Sequence, residues 1–140
     1  MEIEVDRQTG RISVERIISA HDVGKAINPQ AVVGQVQGGA VQGLGWAILE
    51  DFVVQRGQVL TTELSTYLIP TVLDIPAGFE VIILENPSPL GPWGAVGVGE
   101  MPLLAVAPAI FAALHDAAGV WCNQIPLTQE RVWCYLHEKV

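Results

Sequence analysis

Apolar and acidic residues alternate at the start of the chain, which is the pattern of a strand with one buried face. Ile3 and Val5 alternate with acids, the polar stretch Arg7–Gly10 follows, and apolar positions then resume. This pattern predicts a β-hairpin over residues 2–18. A second hairpin is predicted over Asp51–Val59, where two short runs of mixed polarity flank an Arg-Gly turn.

Two later segments also have strand character. Phe79–Leu84 is apolar at almost every position, so we expect a strand in the middle of a sheet, covered on both faces. Val120–Cys122 is interpreted as a short strand. The stretch from Thr61 to Asp74 shows no regular spacing of apolar residues and is expected to be irregular.

A long, glycine-rich helix is predicted from Pro29 to about Leu49, with Asn28 as its N-cap. Lys25 is the only charge between Val23 and Leu49, so this helix is expected to be buried nearly all round. Each glycine in a helix costs about 0.5–1 kcal/mol relative to alanine, and close packing, a ligand or both must offset that cost. Two glycine pairs leave two helix faces without side chains: Gly34 with Gly38, and Gly39 with Gly43.

Two more helices are predicted in the second half of the chain. The first is apolar, begins after Pro102 and stops at Gly119; Pro108 either kinks it or marks its true beginning. The second is short and starts at Thr128. These elements predict an α/β (α+β) fold, with a small mixed sheet, an N-terminal hairpin and two Gly- and Ala-rich buried helices in a single domain over residues 1–140.

The composition points to a protein whose surface is partly covered by a partner. The chain is 50% hydrophobic and only 16% charged, against about 25% in an ordinary soluble domain. Its net charge of −8 and the lack of a Lys/Arg cluster argue against nucleic acid. The uncharged run Met101–Leu114 is too short to span a membrane, and the acidic N-terminus does not resemble a signal peptide. A cytoplasmic protein without membrane contact is expected.

No metal ion held by the protein's own side chains is predicted. His21, His115 and His137 are scattered, and two cysteines cannot hold a Cys₄ iron–sulfur or zinc site. Asp22 follows His21 directly, but it is interpreted as a turn-forming aspartate and not as half of a catalytic pair.

Glu100 is the most informative residue of the chain. It is the only charged residue between Asn86 and His115, and it ends a run that contains Gly94, Gly97 and Gly99. Two interpretations follow from these residues alone. One carboxylate on a bare, glycine-rich loop is typical of a general base aimed at a bound group. A carboxylate at the start of a helix can also simply stabilise the first turn after Pro102.

Three separated segments together resemble one family. They are His21–Pro29, Gly34–Gly45 and Gly97–Pro102. Their order and spacing are similar to the C-terminal end of the molybdenum-binding (large) subunit of the molybdenum hydroxylases, which include xanthine dehydrogenase and aldehyde oxidoreductase. The resemblance extends over nearly the whole chain.

The resemblance implies an oxidoreductase that hydroxylates an aldehyde or an N-heterocycle with a molybdenum cofactor. Glu100 would be the general base and would take a proton from a molybdenum-bound hydroxyl. An apolar wall around Glu100 would raise its basicity, whereas the start of a helix would lower it. Gln35 would hydrogen-bond the pterin, and the remaining residues placed against the cofactor by the resemblance are Gly34, Gly38, Gly97, Val98 and Gly99.

The resemblance also implies partners that this chain does not contain. The cofactor would be molybdopterin, with the cytosine dinucleotide form included among the expectations. The electrons would pass to 2Fe-2S clusters and FAD on partner subunits. The chain would be active only with the remainder of the molybdenum subunit. An iron–sulfur subunit is a further expected partner, and an FAD subunit and a homo-oligomer are included among the expectations.

Two departures from the family pattern leave a second hypothesis open. Family members often carry Lys or Arg where this chain has Val96, and this chain matches only about the last fifth of a full molybdenum subunit. The alternative is a non-catalytic fragment, from a truncated or split gene, that acts as a structural or interaction module.

Overall fold

The computed structural model describes residues 1–137. Its strands are β1 (Glu2–Val5), β2 (Ile12–Asp22), β3 (Val54–Gln55), β4 (Gln58–Val59) and β5 (Gly78–Leu84). Its helices are α1 (Pro29–Ile48), α2 (Met101–Leu104), α3 (Val106–Ala118) and α4 (Gln129–His137). Single 3₁₀ turns lie at Val72–Asp74 and Pro92–Gly94. The predicted α/β class and both predicted hairpins are confirmed, although the β3–β4 hairpin has only two residues in each strand.

The main sheet is mixed, and β2 lies in its middle. β1 pairs with β2 antiparallel, and β5 pairs with β2 parallel, ending with Asp22 opposite Leu84. The prediction that Phe79–Leu84 is a central strand is therefore wrong, because β5 is an edge strand of the sheet formed by residues 1–137. Its apolar run is misleading because Ile82 and Leu84 lie on a face that remains exposed in this chain.

The hydrophobic core lies between the inner face of the sheet and three helices. Ile3 and Val5 pack against it from β1, with the intervening acids exposed, as the alternation predicted. The buried cluster contains Ala40, Leu44 and Ala47 of α1, Val106, Ile110 and Leu114 of α3, Leu127, and Val132 of α4.

One glycine pair of α1 allows the helix to pack closely on α2 and α3. A β-carbon at Gly39 would lie 3.1 Å from the Cβ of Pro102. A β-carbon at Gly43 would lie 2.7 Å from the Leu103 carbonyl oxygen and 2.9 Å from the Cβ of Val106. Close packing therefore explains why these two positions carry no side chain.

The other glycine pair of α1 faces open space. No heavy atom outside the local chain lies within 4 Å of a β-carbon built at Gly34 or Gly38. Gln35 and Gln42 are exposed on the same side of the helix. The prediction that α1 is buried nearly all round is therefore wrong for this chain, because a helix without charges need not be covered by its own polypeptide.

The apolar segment predicted as one helix forms two. α2 ends at Leu104, α3 begins at Val106, and Ala105 separates them. Pro108 lies in the first turn of α3, where its missing N–H removes no intrahelical bond. The alternative that Pro108 marks a helix start is therefore correct to within two residues. Gly119 ends α3 in the left-handed conformation, with φ of 76°, as predicted.

In the last part of the described chain, the predicted short strand is absent and the predicted final helix is present. Val120–Cys122 is not a strand; Trp121 instead stacks on His115, with ring centroids 4.2 Å apart. α4 follows Thr128, whose Oγ1 accepts a hydrogen bond from the Arg131 N–H at 3.3 Å. This bond confirms the predicted start of the final helix.

The segment Met101–Ala118 is long and apolar enough, by composition alone, to cross a membrane. Its mean hydropathy over 18 residues is 1.5. The core helix of a globular fold can meet the same criterion. In this fold, one side of the segment is buried in the hydrophobic core through Leu103, Val106, Ile110 and Leu114.

Asp22 joins the carboxyl ends of β2 and β5. Its Oδ1 accepts from the backbone N–H groups of Gly24 at 3.0 Å and Asn86 at 3.1 Å, and its Oδ2 accepts from Asn86 Nδ2 at 2.8 Å. These hydrogen bonds, that from the Asn86 side chain above all, lower the pKa of Asp22 below its ordinary value. The predicted turn-forming role of Asp22 is confirmed.

The two glycine pairs of α1 predict opposite effects of added methyl groups. We expect Gly43→Ala to destabilise the chain by about 1–3 kcal/mol, because the new Cβ must push the Leu103 backbone away. Gly38→Ala is the matched control and should stabilise by about 0.5–1 kcal/mol, because the space is open and alanine favours the helix. Urea denaturation of both variants measures these changes; equal effects would contradict the packing of α1 on α2.

The hydrogen bonds of Asp22 predict a pH-dependent contribution to stability. Because its pKa is lower in the folded chain than the unfolded value of about 3.9, the carboxylate stabilises the fold above that pH. The contribution is lost as pH falls through the folded pKa. The urea midpoint of Asp22→Asn should therefore lie below that of the unmodified chain at pH 7 and converge with it under acid conditions. Asp116→Asn, on exposed α3 surface, is the charge control; a gap independent of pH would contradict this role.

Candidate functional site

The candidate site lies at the carboxyl ends of the parallel strands β2 and β5. Ligand sites in α/β proteins commonly occupy this edge, because the loops that leave neighbouring parallel strands diverge there. Val23 continues from β2 and donates its N–H to the Leu84 carbonyl at 3.0 Å. The Val23 carbonyl accepts from Val96 N–H at 3.1 Å. The segment that leads to Glu100 is thus bound to the end of β2.

Gly24 makes this junction possible. It has φ of +62°, and a β-carbon there would lie 2.3 Å from the Gly94 carbonyl oxygen. The same carbonyl accepts from Lys25 N–H at 2.8 Å, and Gly24 forms an isolated bridge with Ala95. Both the positive φ and the close backbone contact require glycine at this position.

Gln35 connects helix α1 to the Glu100 loop. Its Nε2 donates a hydrogen bond to the Gly99 carbonyl oxygen at 2.8 Å. The residues lie 64 positions apart, so the fold has brought together two of the three segments that carry the family resemblance. Gln35, Gly99 and Glu100 therefore form one local constellation.

Glu100 is exposed, at the N-cap position of the four-residue helix α2. Its side chain makes no capping hydrogen bond, but the N-cap position is the one that the helix-start interpretation expects, so both interpretations of Glu100 stay predictions. Glu100 is not covered by residues 1–137, so an apolar wall that raises its basicity would have to come from outside this part of the chain. The carboxylate remains available to a group from outside.

Four glycines next to this constellation present bare backbone. They share the property that nothing lies within 4 Å of a β-carbon built on them: Gly34, Gly38, Gly97 and Gly99. We call these four residues the open glycines. No contact within the described chain explains the absence of their side chains, in contrast to Gly39 and Gly43. A flat ligand that approaches α1 and the loop closely would explain it, and in this respect the site fits a pterin cofactor.

A cleft of about 320 Å³ lies beside Gln35. The loop before Glu100 contributes Val96 and Val98, and the start of α1 contributes mainly apolar side chains. The full lining is Val23, Lys25, Ile27, Asn28, Ala31, Val32, Gln35, Ala95, Val96 and Val98.

The one cation in the cleft lining is already paired. Lys25 Nζ lies 2.9 Å from Glu85 Oε1, and that carboxylate also accepts from the Ala26 N–H at 2.9 Å. The bond from Lys25, with the smaller contribution of Ala26, lowers the pKa of Glu85. Sequence reasoning missed this pair, although a lone acid just after a predicted strand was a usable signal. Because Lys25 is paired and Val96 is apolar, no uncompensated cation is present among the residues that line the cleft.

The described residues offer no metal site of their own. Among residues 1–137, no group of three or more His, Cys, Asp or Glu side chains is placed to hold a metal ion.

Comparison with known proteins identifies the family. The model of the molybdopterin cofactor-binding domain matches residues 1–76. The xanthine dehydrogenase molybdenum-binding subunit of Escherichia coli O157:H7 is 34% identical over 139 residues, which are 98% of this chain and 18% of that protein. The matched residues of the family include Gln35 and two of the open glycines, and the alignment with the relative also extends over most of the remaining chain.

Two solved structures share the fold. Quinoline 2-oxidoreductase from Pseudomonas putida 86 matches with a TM-score of 0.92 and 37% identity, over 99% of this chain and 18% of that chain. Aldehyde oxidoreductase from Desulfovibrio gigas matches with a TM-score of 0.87 and 33% identity, over 96% of this chain and 14% of that one. The chain thus spans less than a fifth of the length of each of these relatives.

The family match over more than half of the chain agrees with the mixed sheet, the glycine-rich helix and the position of the candidate site. This chain therefore belongs to the molybdopterin cofactor-binding domain family.

Proposed function

We propose that this chain forms part of the catalytic centre of a molybdenum hydroxylase that oxidises an aldehyde or an N-heterocycle. The observation that carries the proposal is the Gln35–Gly99 hydrogen bond, which holds the Glu100 loop against α1 beside the open glycines. The names of the relatives support the substrate class, because they are a xanthine dehydrogenase subunit, a quinoline oxidoreductase and an aldehyde oxidoreductase.

The residues of this chain divide into three roles. The Gln35 amide would hydrogen-bond the pterin, and the open glycines, with Val98, would let the cofactor approach the backbone. Glu100 would accept a proton at its carboxylate as the substrate is hydroxylated. When bound, the molybdenum cofactor would supply the oxygen transfer and take up the electrons, and we include its cytosine dinucleotide form in the proposal.

The exposed apolar surface supports the proposal that the chain works inside a larger assembly. The apolar segment, which we define as residues 52–75, leaves ten large hydrophobic side chains exposed: Phe52, Val54, Val59, Leu60, Leu64, Leu68, Ile69, Val72, Leu73 and Ile75. Such a concentration is unusual on the surface of a monomer and typical of an interface. The proposed occupant is the remainder of a molybdenum subunit, which would also cover Glu100 and exclude water.

The proposed electron acceptors are bound by partner subunits and not by this chain. With two cysteines, this chain cannot supply the four thiolate ligands of a Cys₄ iron–sulfur cluster. We therefore assign the 2Fe-2S clusters and FAD to partner subunits in a cytoplasmic complex. The relative from Escherichia coli is itself named as a subunit, which supports an assembly of several chains.

A non-catalytic module is the second candidate function. The observation that favours it is the lack of an uncompensated cation in the cleft beside Gln35, where Val96 is part of the lining and Lys25 is paired with Glu85. In this case the chain would have the fold of a cofactor-binding domain but would not bind the molybdenum cofactor. Molybdenum content separates the two candidates, because only the first requires near-stoichiometric metal in the assembly purified from the organism that encodes the chain.

Replacement of Glu100 tests the proposed general base. In the purified assembly, Glu100→Gln should lower kcat by about 10²–10⁴-fold, because the amide cannot accept the proton. Molybdenum content and subunit composition should stay unchanged. Glu130→Gln, another exposed acid, lies on α4 outside the apolar segment; it is the control and should keep full activity. Parallel loss of metal and turnover in Glu100→Gln would instead mean that Glu100 supports cofactor binding or assembly.

The open glycines predict a conflict between stability and cofactor retention. Gly38→Ala should stabilise α1 and yet reduce molybdenum occupancy of the assembly several-fold, because the new methyl group projects from the face that the cofactor is proposed to approach. Metal analysis of the purified assembly measures the occupancy. Gln30→Ala, at an exposed position in the first turn of the same helix and outside the cleft lining, provides the control for substitution at the surface of α1. Full molybdenum occupancy in Gly38→Ala would show that Gly38 does not lie against the cofactor.

A further inference from the structure

We infer that Gln35 is a positioning residue that sets the direction of the Glu100 side chain through the Gly99–Glu100 peptide. This role is separate from the contact with a pterin, and its importance for catalysis rests on the proposed function of Glu100. The hydrogen bond itself acts within this chain and needs no cofactor.

The direction in which a side chain leaves the backbone, its Cα–Cβ bond, is set by the two peptide planes on either side of its Cα, because φ and ψ are the soft dihedral angles of a residue. The plane before Glu100 contains the Gly99 carbonyl, which accepts from Gln35 Nε2 at 2.8 Å. The plane after Glu100 contains its own carbonyl, which accepts from Leu103 N–H at 3.2 Å. Both planes are thus held by a hydrogen bond, with φ of −101° and ψ of 1° between them.

The bond from Gln35 matters because the loop has little other lateral support. Upstream, Val96 is bound to the Val23 carbonyl, and downstream, Pro102 is buried against Gly39. Between these anchors, the two glycines of the loop meet nothing within 4 Å of where a side chain would begin. Glycine is also the residue with the greatest backbone freedom, so an unsupported Gly99 would let the next peptide plane rotate.

The other end of the bond is rigid. Gln35 lies in the second turn of α1, and its neighbour Val36 is fully buried. The helix is fixed at its start by Asn28, whose side chain accepts from Ala31 N–H at 3.1 Å. A catalytic group on a loop gains precision when it is tied to a rigid element in this way.

The chemistry of an amide suits this position. The NH₂ group donates to Gly99, and the amide oxygen still offers an acceptor for a second group. Methionine has a similar length without a strong donor. An ionised carboxylate of the same length would place an acceptor against the carbonyl oxygen, whereas its protonated form can again donate.

The test measures the motion of the Glu100 peptide plane in the 140-residue chain. The backbone ¹⁵N order parameter of Glu100 should be near the rigid value of about 0.85 in the unmodified chain and fall below about 0.6 in Gln35→Met. Gln42→Met is the matched control: it is seven residues along the same helix, exposed, and should leave the order parameter of Glu100 unchanged. An order parameter that is the same in all three chains would overturn the inference.

A second variant adds a reversible readout that a general loss of structure would not show. In Gln35→Glu the order parameter of Glu100 should be low at neutral pH and recover as pH falls below about 4, when the introduced carboxyl becomes protonated and can donate. Gln35→Met should show no such recovery. Absence of recovery in Gln35→Glu, with the fold intact, would count against the donor role.

The outcome is independent of the proposed enzyme activity. A rigid-to-mobile change in Gln35→Met would establish the positioning role even if Glu100→Gln proved to have full turnover. Conversely, an unchanged order parameter would remove the positioning role and leave Glu100 as the proposed base.

Discussion

The close packing of α1 against α2 and α3 is the contact on which the rest of the site depends. Gly39 and Gly43 let the helix approach until Pro102 and the Leu103 backbone lie where side chains would otherwise begin. Because Glu100 immediately precedes α2, this contact sets how far the Glu100 loop lies from α1. Only at that separation can the Gln35 amide reach the Gly99 carbonyl. The packing of α1 on α2 and α3 therefore also determines the geometry of the candidate site.

The glycines of α1 illustrate how one residue type can serve two purposes. At Gly39 and Gly43 the missing side chain is used for packing, and the cost of glycine in a helix is offset by buried contacts. At Gly34 and Gly38 the same cost has no compensation within the described chain. Proteins commonly accept such local instability where a functional surface requires it. Gly34 and Gly38 are therefore the stronger indication of a functional surface, although the two glycine pairs have the same spacing in the sequence.

The exposed apolar surfaces of this chain are consistent with the small fraction of its relatives' length that it spans. The exposed face of the sheet carries Ile18, Ile82 and Leu84, and the apolar segment adds a second hydrophobic surface. The chain spans 18% of the length of two of these relatives, so they contain ample polypeptide to cover such surfaces. The high apolar fraction of the composition thus has a structural counterpart, and it explains why burial was overestimated for α1 and β5.

Local structure and the candidate residues could be predicted from the order of the amino acids. Alternation indicated the N-terminal hairpin, Asn28-Pro29 and Gly119 marked helix ends, and the isolated Glu100 and the glycine motifs indicated the site. These features are readable because they depend on neighbouring residues. Tertiary packing was needed to decide which glycine pair is packed, that β5 lies at an edge, and that Lys25 is neutralised by Glu85. It also decided that Gln35 bonds Gly99, because contacts between residues 64 positions apart follow from how helices and sheet pack and not from any local pattern.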